Sequence, residues 1–520
     1  MKRLLSFALA ICLMASFASA KGLGYSSKKG LGENFTDRDG TFCTHAVPGE
    51  FPEEDTPLYN VTVNGAYVGL FTDRNHWGGL VHFGSFEFEN GREVTVRVSY
   101  REPIDNFEVL PGKSLSLLGV RQTGRHSIEI RMDKADQNLT VVVNGEPKKH
   151  VLHLFCNSID RKAPTVPDSE GYHRYEDKKL HYFGPGYHDL KALLQTDLLQ
   201  IEDGWSVYLA AGAVVYGSLR VCGTTHWPKV YGRGMIYNDT HNTRVIFDAS
   251  YCNGVNVEGV TFHCHRAQCW QVALAHCQNV EFKHVKIIGT RYASTDGLDI
   301  INCQQCAFLN MFIRANDDAI AVKGLGDAKP ADSDPNRNLT FCGMQLWNDC
   351  NCAMGIGAEN HCSLYENIRF MNSSVLFSYD DPDYHEMLDE RAAMTICCIH
   401  GTYFRNISYE NIDVYHCERL IAAGFQPSFW FGALKGDQST PGGISNLTYR
   451  NVRSFSNSGS AIANKIHLYG WSGADGTPAK TVDGVKFERL EVEGEKVKST
   501  DHPIFSETDM TTVKNITVEP

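Results

Sequence analysis

The chain has 520 residues, 42% of them hydrophobic, and a formal net charge of −12 at pH 7. That length and apolar content suffice for one large domain and a smaller one. An acidic balance of this size excludes nucleic acid as a partner, because a phosphate backbone is met by a basic surface.

Met1 to Ala20 begins with Lys2 and Arg3, runs through apolar residues from Leu4 to Phe17 and closes on Ala18-Ser19-Ala20. This is the pattern of a cleaved secretory signal peptide, of bacterial character. The apolar run is too short for a membrane span and no later stretch approaches one. The mature chain is therefore expected in the periplasm or outside the cell. Of the 17 cysteines, Cys12 falls in this leader. Export permits disulfides, yet most of the remaining cysteines occupy strand-like positions between Cys222 and Cys417, where a free thiol packs as a small apolar group. A mixture is expected, with no pairing assigned.

Residues 21–155 read as a β-sandwich. Short alternating runs recur between Tyr59 and Phe155, punctuated by Asn64-Gly65, Asn90-Gly91 and Asn144-Gly145, which favour tight turns. His76, Trp77 and His82 could contact a sugar there, although such residues more often pack. Residues 156–179, rich in charge and proline, read as a linker.

Residues 180–520 repeat one pattern, in which Asn or Gly introduces an alternating apolar run and then a second short one. Instances are GVNVEGVTF at 254, NVEFKHVKI at 279, NLTFCGMQL at 338, NIRFMNSSV at 367, NISYENIDV at 406, NLTYRNVRS at 446 and VKFERLEV at 485. Self-similarity at this spacing marks a solenoid, and strand-only units make it a right-handed parallel β-helix. The expected fold is all-β: an N-terminal β-sandwich followed by this solenoid. Asn338, Asn406 and Asn446 also begin Asn-x-Ser/Thr sequons, but at strand starts. They read as turn residues bonding nearby backbone, not as glycan acceptors.

Carboxylates concentrate around STDGLDI at 294–300 and NDDAIAVKG at 316–324. Asp296 and Asp299 lie about one coil before Asp317 and Asp318, and residues one coil apart stack at roughly 4.8 Å. Carboxylates crowded in this way repel, so one is driven toward its protonated form. An acid holding its proton beside an ionised base is what glycosidic bond cleavage requires. A lone Asp-Gly would read as a turn; this cluster reads as a catalytic site. Cys303-x-x-Cys306 and His263-Cys264-His265…Cys269 have zinc-like spacings, but coil stacking generates such clusters, and neither a metal nor a cofactor is expected.

These motifs and this domain order resemble the β-helical glycoside hydrolases. Two groups match: the polygalacturonase family and the dextranase/isopullulanase family, the latter with an N-terminal β-sandwich. Ser294-Thr295-Asp296-Gly297 and Asp317-Asp318 are similar to the polygalacturonase pattern Asn-Thr-Asp-Gly…Asp-Asp. The resemblance implies that Asp317 is the general acid, that Asp296 and Asp318 hold the attacking water, and that a single displacement inverts the anomeric centre. Two departures matter. The equivalent of the family's Gly-His-Gly is Gly355-Ile356-Gly357, and the strand expected to carry its substrate-binding Arg-Ile-Lys offers Thr395 and Cys397. A uronate carboxylate calls for a fixed cation, so a neutral, dextran-like glycan is favoured over galacturonan.

Asp299, Lys323, Glu359, His385, Arg391 and Trp430 are the candidate substrate contacts. A lyase is the alternative chemistry, with Arg314 or Lys323 as base, and a non-catalytic glycan-binding solenoid is a third reading. The expected partner in each case is a polysaccharide or oligosaccharide.

Overall fold

The computed structural model describes residues 32–520 except 53–54, 290, 327–332, 380–390, 430–431, 461 and 474. The chain divides into two compact units, residues 1–74 with 78–161, and residues 75–77 with 162–520.

In the first unit a seven-stranded and a five-stranded sheet share one apolar core. Alternation explains it: in Val94–Tyr100, Val94, Val96, Val98 and Tyr100 point inward and the intervening residues outward. Asn64-Gly65 closes the hairpin between Tyr59–Val63 and Ala66–Tyr67, both residues with positive φ as a two-residue turn requires. Asn90-Gly91 behaves differently, joining Leu80–Phe88 of one sheet to Val94–Tyr100 of the other. Leu80–Phe88 instead runs parallel to His150–Ser158. His82 is fully buried and accepts the Leu58 N–H at 2.9 Å; burial holds its imidazole neutral, with a pKa of about 3.

The second unit is a parallel β-helix. The earlier coils each give two strands to a 22-stranded sheet and one to a ten-stranded sheet; in later coils the two merge into one long strand, as in Leu364–Ser378, Tyr403–Val414 and Gly443–Ser454. The coil Gln278–Lys283, Lys286–Gly289, Leu298–Ile301 pairs in parallel register with the coil Gln304–Leu309, Phe312–Ala315, Ile320–Gly324 that follows. Inward residues merge into one continuous apolar core. Tyr172–Tyr175, within the stretch read as a linker, is a strand pairing antiparallel with the first coil at Leu180–Phe183. That coil also holds a short helix, Leu190–Leu194, where Asp189 accepts two backbone N–H groups as N-cap; the repeat pattern gave no sign of it.

Two ladders run along the solenoid axis. Phe308, Phe341, Phe370, Tyr409, Tyr449 and Phe487 stack in order, with ring centroids 4.6–5.1 Å apart. Asn338, Asn367, Asn406 and Asn446 form the second, each amide donating to the previous one at 2.9–3.1 Å. All four have φ near +55°, a backbone state that Asn tolerates well. The strand-start asparagines thus bond one another's side chains and not, as expected, the adjacent backbone. The cysteines left after Cys12 are all unbridged, and all but Cys43, Cys222 and Cys342 are buried.

Candidate active site

The ten-stranded sheet carries the site. Leu298 pairs with Ile320 and Ile320 with Met354. This register sets Asp318, and not Asp317, opposite Asp296. Backbone bonds agree: Gly297 N–H donates to Asp318 O at 2.8 Å, and Asp317 N–H to Thr295 O at 3.4 Å. Gly297 makes the approach possible, since a Cβ there would lie 2.4 Å from the Ile313 side chain and 2.6 Å from the Ala319 carbonyl. One carboxylate oxygen from each of Asp296, Asp317 and Asp318 falls within 4.8 Å of the other two.

Their surroundings differ. Asp317 accepts from Ser294 N–H at 2.8 Å on Oδ2, and on Oδ1 from Asp318 N–H at 3.0 Å and Asn351 Nδ2 at 2.6 Å. These bonds fix the carboxyl in one orientation at the cleft. Asp296 is buried and accepts from Lys323 Nζ at 2.7 Å; the same ammonium lies 2.9 Å from Asp299. Lys323 also stands over the Trp270 ring, 4.3 Å from its centroid.

Burial pushes Asp296 well above the usual carboxylate range; Lys323 opposes this, while Asp299 and Asp317 add to it. Asp318 is raised for the same first reason, reinforced by the charges of Asp317 and Asp296. Asp299, fully buried, is pushed up to about 6. Burial works against the charge on Lys323, but its carboxylate neighbours overcome this and hold it protonated. The cluster therefore holds a proton to higher pH than free carboxyls would, and that proton belongs to the group and not to one residue.

The cleft is lined by Trp270, Ser294, Asp296, Asp317, Asp318, Lys323, Asn351, Ala358, Glu359, Phe429, Ala433 and Leu434. Of the candidate substrate contacts, Lys323 and Glu359 line it directly. Asp299 does not; it reaches the site through Lys323. Arg391 is buried, donates from Nη1 to Cys350 O at 3.1 Å and faces the Phe429 ring at 5.9 Å. His385 and Trp430 lie outside the described residues. Ile356 packs in the core, paired with Val322, so Gly355-Ile356-Gly357 presents no side chain to the cleft. Thr395 and Cys397 lie on Met394–Cys398, and neither that strand nor the next, Ile421–Phe425, carries a basic residue. Arg314 is sealed in a two-pronged pair with Asp349.

Three carboxylates this close could also chelate a hard cation. Cys43, His45 and Glu87 form another ligand-capable group in the first unit. Cys303 and Cys306 are buried in the solenoid core.

Residues 207–344, which contain all three aspartates, match the family model for glycosyl hydrolases family 28. The β-helix is a glycoside hydrolase domain. Dex49A from Penicillium minioluteum shares the fold of this hydrolase at a TM-score of 0.62 and 13% identity, over 94% of this chain and 100% of its own. The family 28 exopolygalacturonase of Yersinia enterocolitica matches at 0.47 and 10% identity over 86% and 98% of the two chains. The polygalacturonase of Erwinia carotovora ssp. carotovora matches at 0.42 and 12% identity over 62% and 87%. No curated protein matches the sequence.

Trp270, Asn351 and Phe429 also line the cleft of this hydrolase, outside the motifs that mark the site in the sequence. Trp270 was within reach, because the pairing of Val272 with Leu298 sets it opposite Asp296. Asn351 follows a longer separation between the strands Ile320–Gly324 and Asn336–Cys342, and a varying coil length hides the register.

Proposed function

We propose that this protein is an exported hydrolase that cleaves O-glycosidic bonds of a neutral polysaccharide, a dextran-like glucan being the first substrate to try, by single displacement with inversion. The observation that carries the reading is the charge of the cleft. Four carboxylates line it, and Lys323, its one lining cation among the described residues, is already paired with Asp296 and Asp299. A uronate would bring a further negative charge with no cation waiting for it, whereas a neutral sugar meets acceptors for its hydroxyls and the rings of Trp270 and Phe429.

Asp317, oriented by three N–H donors at the cleft, delivers to the leaving oxygen the proton that the clustered carboxyls share. Asp296 and Asp318 take the water: two oxygens within 4.8 Å of each other can both accept from one water at about 2.8 Å each. Asp317, the acid, lies within the same 4.8 Å of both, closer than the ~6.5–9.5 Å common between acid and base in inverting enzymes, so the anomeric outcome is a direct test. Proton NMR of the first product should show inversion; retention would instead make one aspartate a nucleophile. Lyase chemistry is disfavoured because Lys323 is held protonated and Arg314 is sealed by Asp349, leaving neither as a base.

Reducing-sugar release from neutral glucans, galactans, arabinans and galacturonan, with wild type beside Asp317→Asn, tests the whole reading. Release from a neutral glycan, lost in the variant, is expected. Release from galacturonan alone would overturn the substrate class. Export is tested by finding the mature N-terminus after Ala20 in the periplasm or medium.

A further inference from the structure

Two aromatic side chains with large exposed areas stand together on the β-helix, away from the cleft. Trp227 is 49% exposed and Tyr251 66%. Trp227 lies flat on the next coil: a Cβ at Gly254, which has φ +99°, would meet the indole at 2.7 Å. One indole face is thus seated on backbone and the other is turned to solvent. Gly254 is three residues beyond Tyr251, so indole and phenol share one edge of the coil stack. Tyr251 is seated in the same manner on His276, rings 4.9 Å apart and 2° from coplanar. His276 is held in turn by Asp334, 3.1 Å from its Nδ1.

The backbone makes these choices unusual. Ser250 pairs with Ala275 and Ala275 with Ile301, so Tyr251, His276 and Asn302 occupy equivalent turn positions on successive coils. All three have φ between +52° and +53°, and Trp227 has +50°. Elsewhere the solenoid most often fills left-handed turn positions with Asn, which tolerates that state better than bulky aromatics do. Single exposed aromatics are ordinary. A pair placed against backbone preference, each supported on one face and open on the other, is not.

We propose that Trp227 and Tyr251 form a second, non-catalytic saccharide platform that takes a stretch of neutral polysaccharide outside the cleft. Flat rings with one free face suit the apolar faces of sugar rings, and the exposed side chains of His226 and Asp334 can meet hydroxyls at the rim. Trp227 and Tyr251 follow the strands Ser218–Cys222 and Phe247–Ser250, whereas the aspartates precede Leu298–Ile301 and Ile320–Gly324. From Trp270 at the cleft to His276 is six residues, four of them the strand Val272–Ala275, a span of at most roughly 20 Å. One polymer chain can therefore engage both sites, while a short oligosaccharide in the cleft cannot.

This inference rests on the reading that the protein acts on a polysaccharide. The test uses the full chain and the double variant Trp227→Asn/Tyr251→Asn, in which each new residue suits its φ as Asn302 does. Retardation in gels containing the soluble polysaccharide that the wild type cleaves is measured beside kcat/KM on a short oligosaccharide of the same linkage. The expected result is polymer binding weakened on the order of tenfold, with KM for polymer rising in step, and unchanged oligosaccharide kinetics and melting temperature. Equal retardation and equal KM in wild type and variant would overturn the platform alone. A wild type that neither cleaves nor is retarded by any glycan would overturn the platform together with the polysaccharide reading.

Discussion

At the scale of single residues, the roles proposed for Asp317 and Asp318 are separable by the leaving group. A general acid is needed when the departing oxygen is a sugar alkoxide and is dispensable when it is a stabilised phenolate. Asp317→Asn should therefore lose on the order of 10²–10⁴-fold in kcat/KM on polysaccharide and much less on an aryl glycoside with an acidic phenol. Asp318→Asn, which on the proposed mechanism removes a partner of the attacking water, should lose comparably on both. The opposite pattern would exchange the two assignments. The residue types of this site were legible from the sequence, and their pairing was not: one residue of coil length decides whether Asp317 or Asp318 faces Asp296, and only the register of Leu298 with Ile320 supplies that residue. Asp299 provides a stability test. Its folded pKa of about 6 exceeds the ordinary 3.8, so between those values the folded chain keeps a proton that the unfolded chain has lost. Stability therefore falls as pH rises from about 4 to about 6. Asp299→Asn should flatten that slope in thermal melts without abolishing it, since the raised Asp296 and Asp318 act in the same direction. An unchanged slope would remove Asp299 as a source.

At the scale of elements, the repeat was legible because each strand alternates and each turn prefers Asn, while the ladders that stiffen it were not. Nothing local announces that Phe308, Phe341 and Phe370 will stack, as this needs three coils of unequal length to come into register. Phe341 sits between the other two at 5.0 Å and 4.6 Å, fully buried. Phe341→Ala removes both contacts and leaves a cavity between paired strands that cannot close on it, for a cost of ~3–5 kcal/mol. Because each coil leans chiefly on its neighbours, the loss should appear as a lower urea midpoint, and as easier opening of the adjoining coils in hydrogen exchange. A midpoint within error of wild type would mean that the aromatic stack adds little beyond the apolar core.

At the scale of the whole molecule, charge argues for one class of substrate. The chain carries a formal net charge of −12, and its cleft adds Asp296, Asp317, Asp318 and Glu359 around a lysine already neutralised. A polyuronate approaching this surface is repelled over the Debye length, ~10 Å at 0.1 M salt and ~30 Å at 0.01 M, and repelled again at the cleft, where no free cation lines the wall among the described residues. A neutral glycan feels neither effect. Its kcat/KM should stay within about twofold as ionic strength rises from ~0.01 to ~0.3 M, because no long-range charge term enters its encounter. Galacturonan, if cleaved at all, should be cleaved better as salt rises. A hydrolase built for uronates behaves in the opposite sense, since salt then screens an attraction. Rates on the active glycan that fall steeply with salt would therefore show a cationic surface meeting an anionic polymer, and would contradict the neutral-substrate reading whatever the sugar.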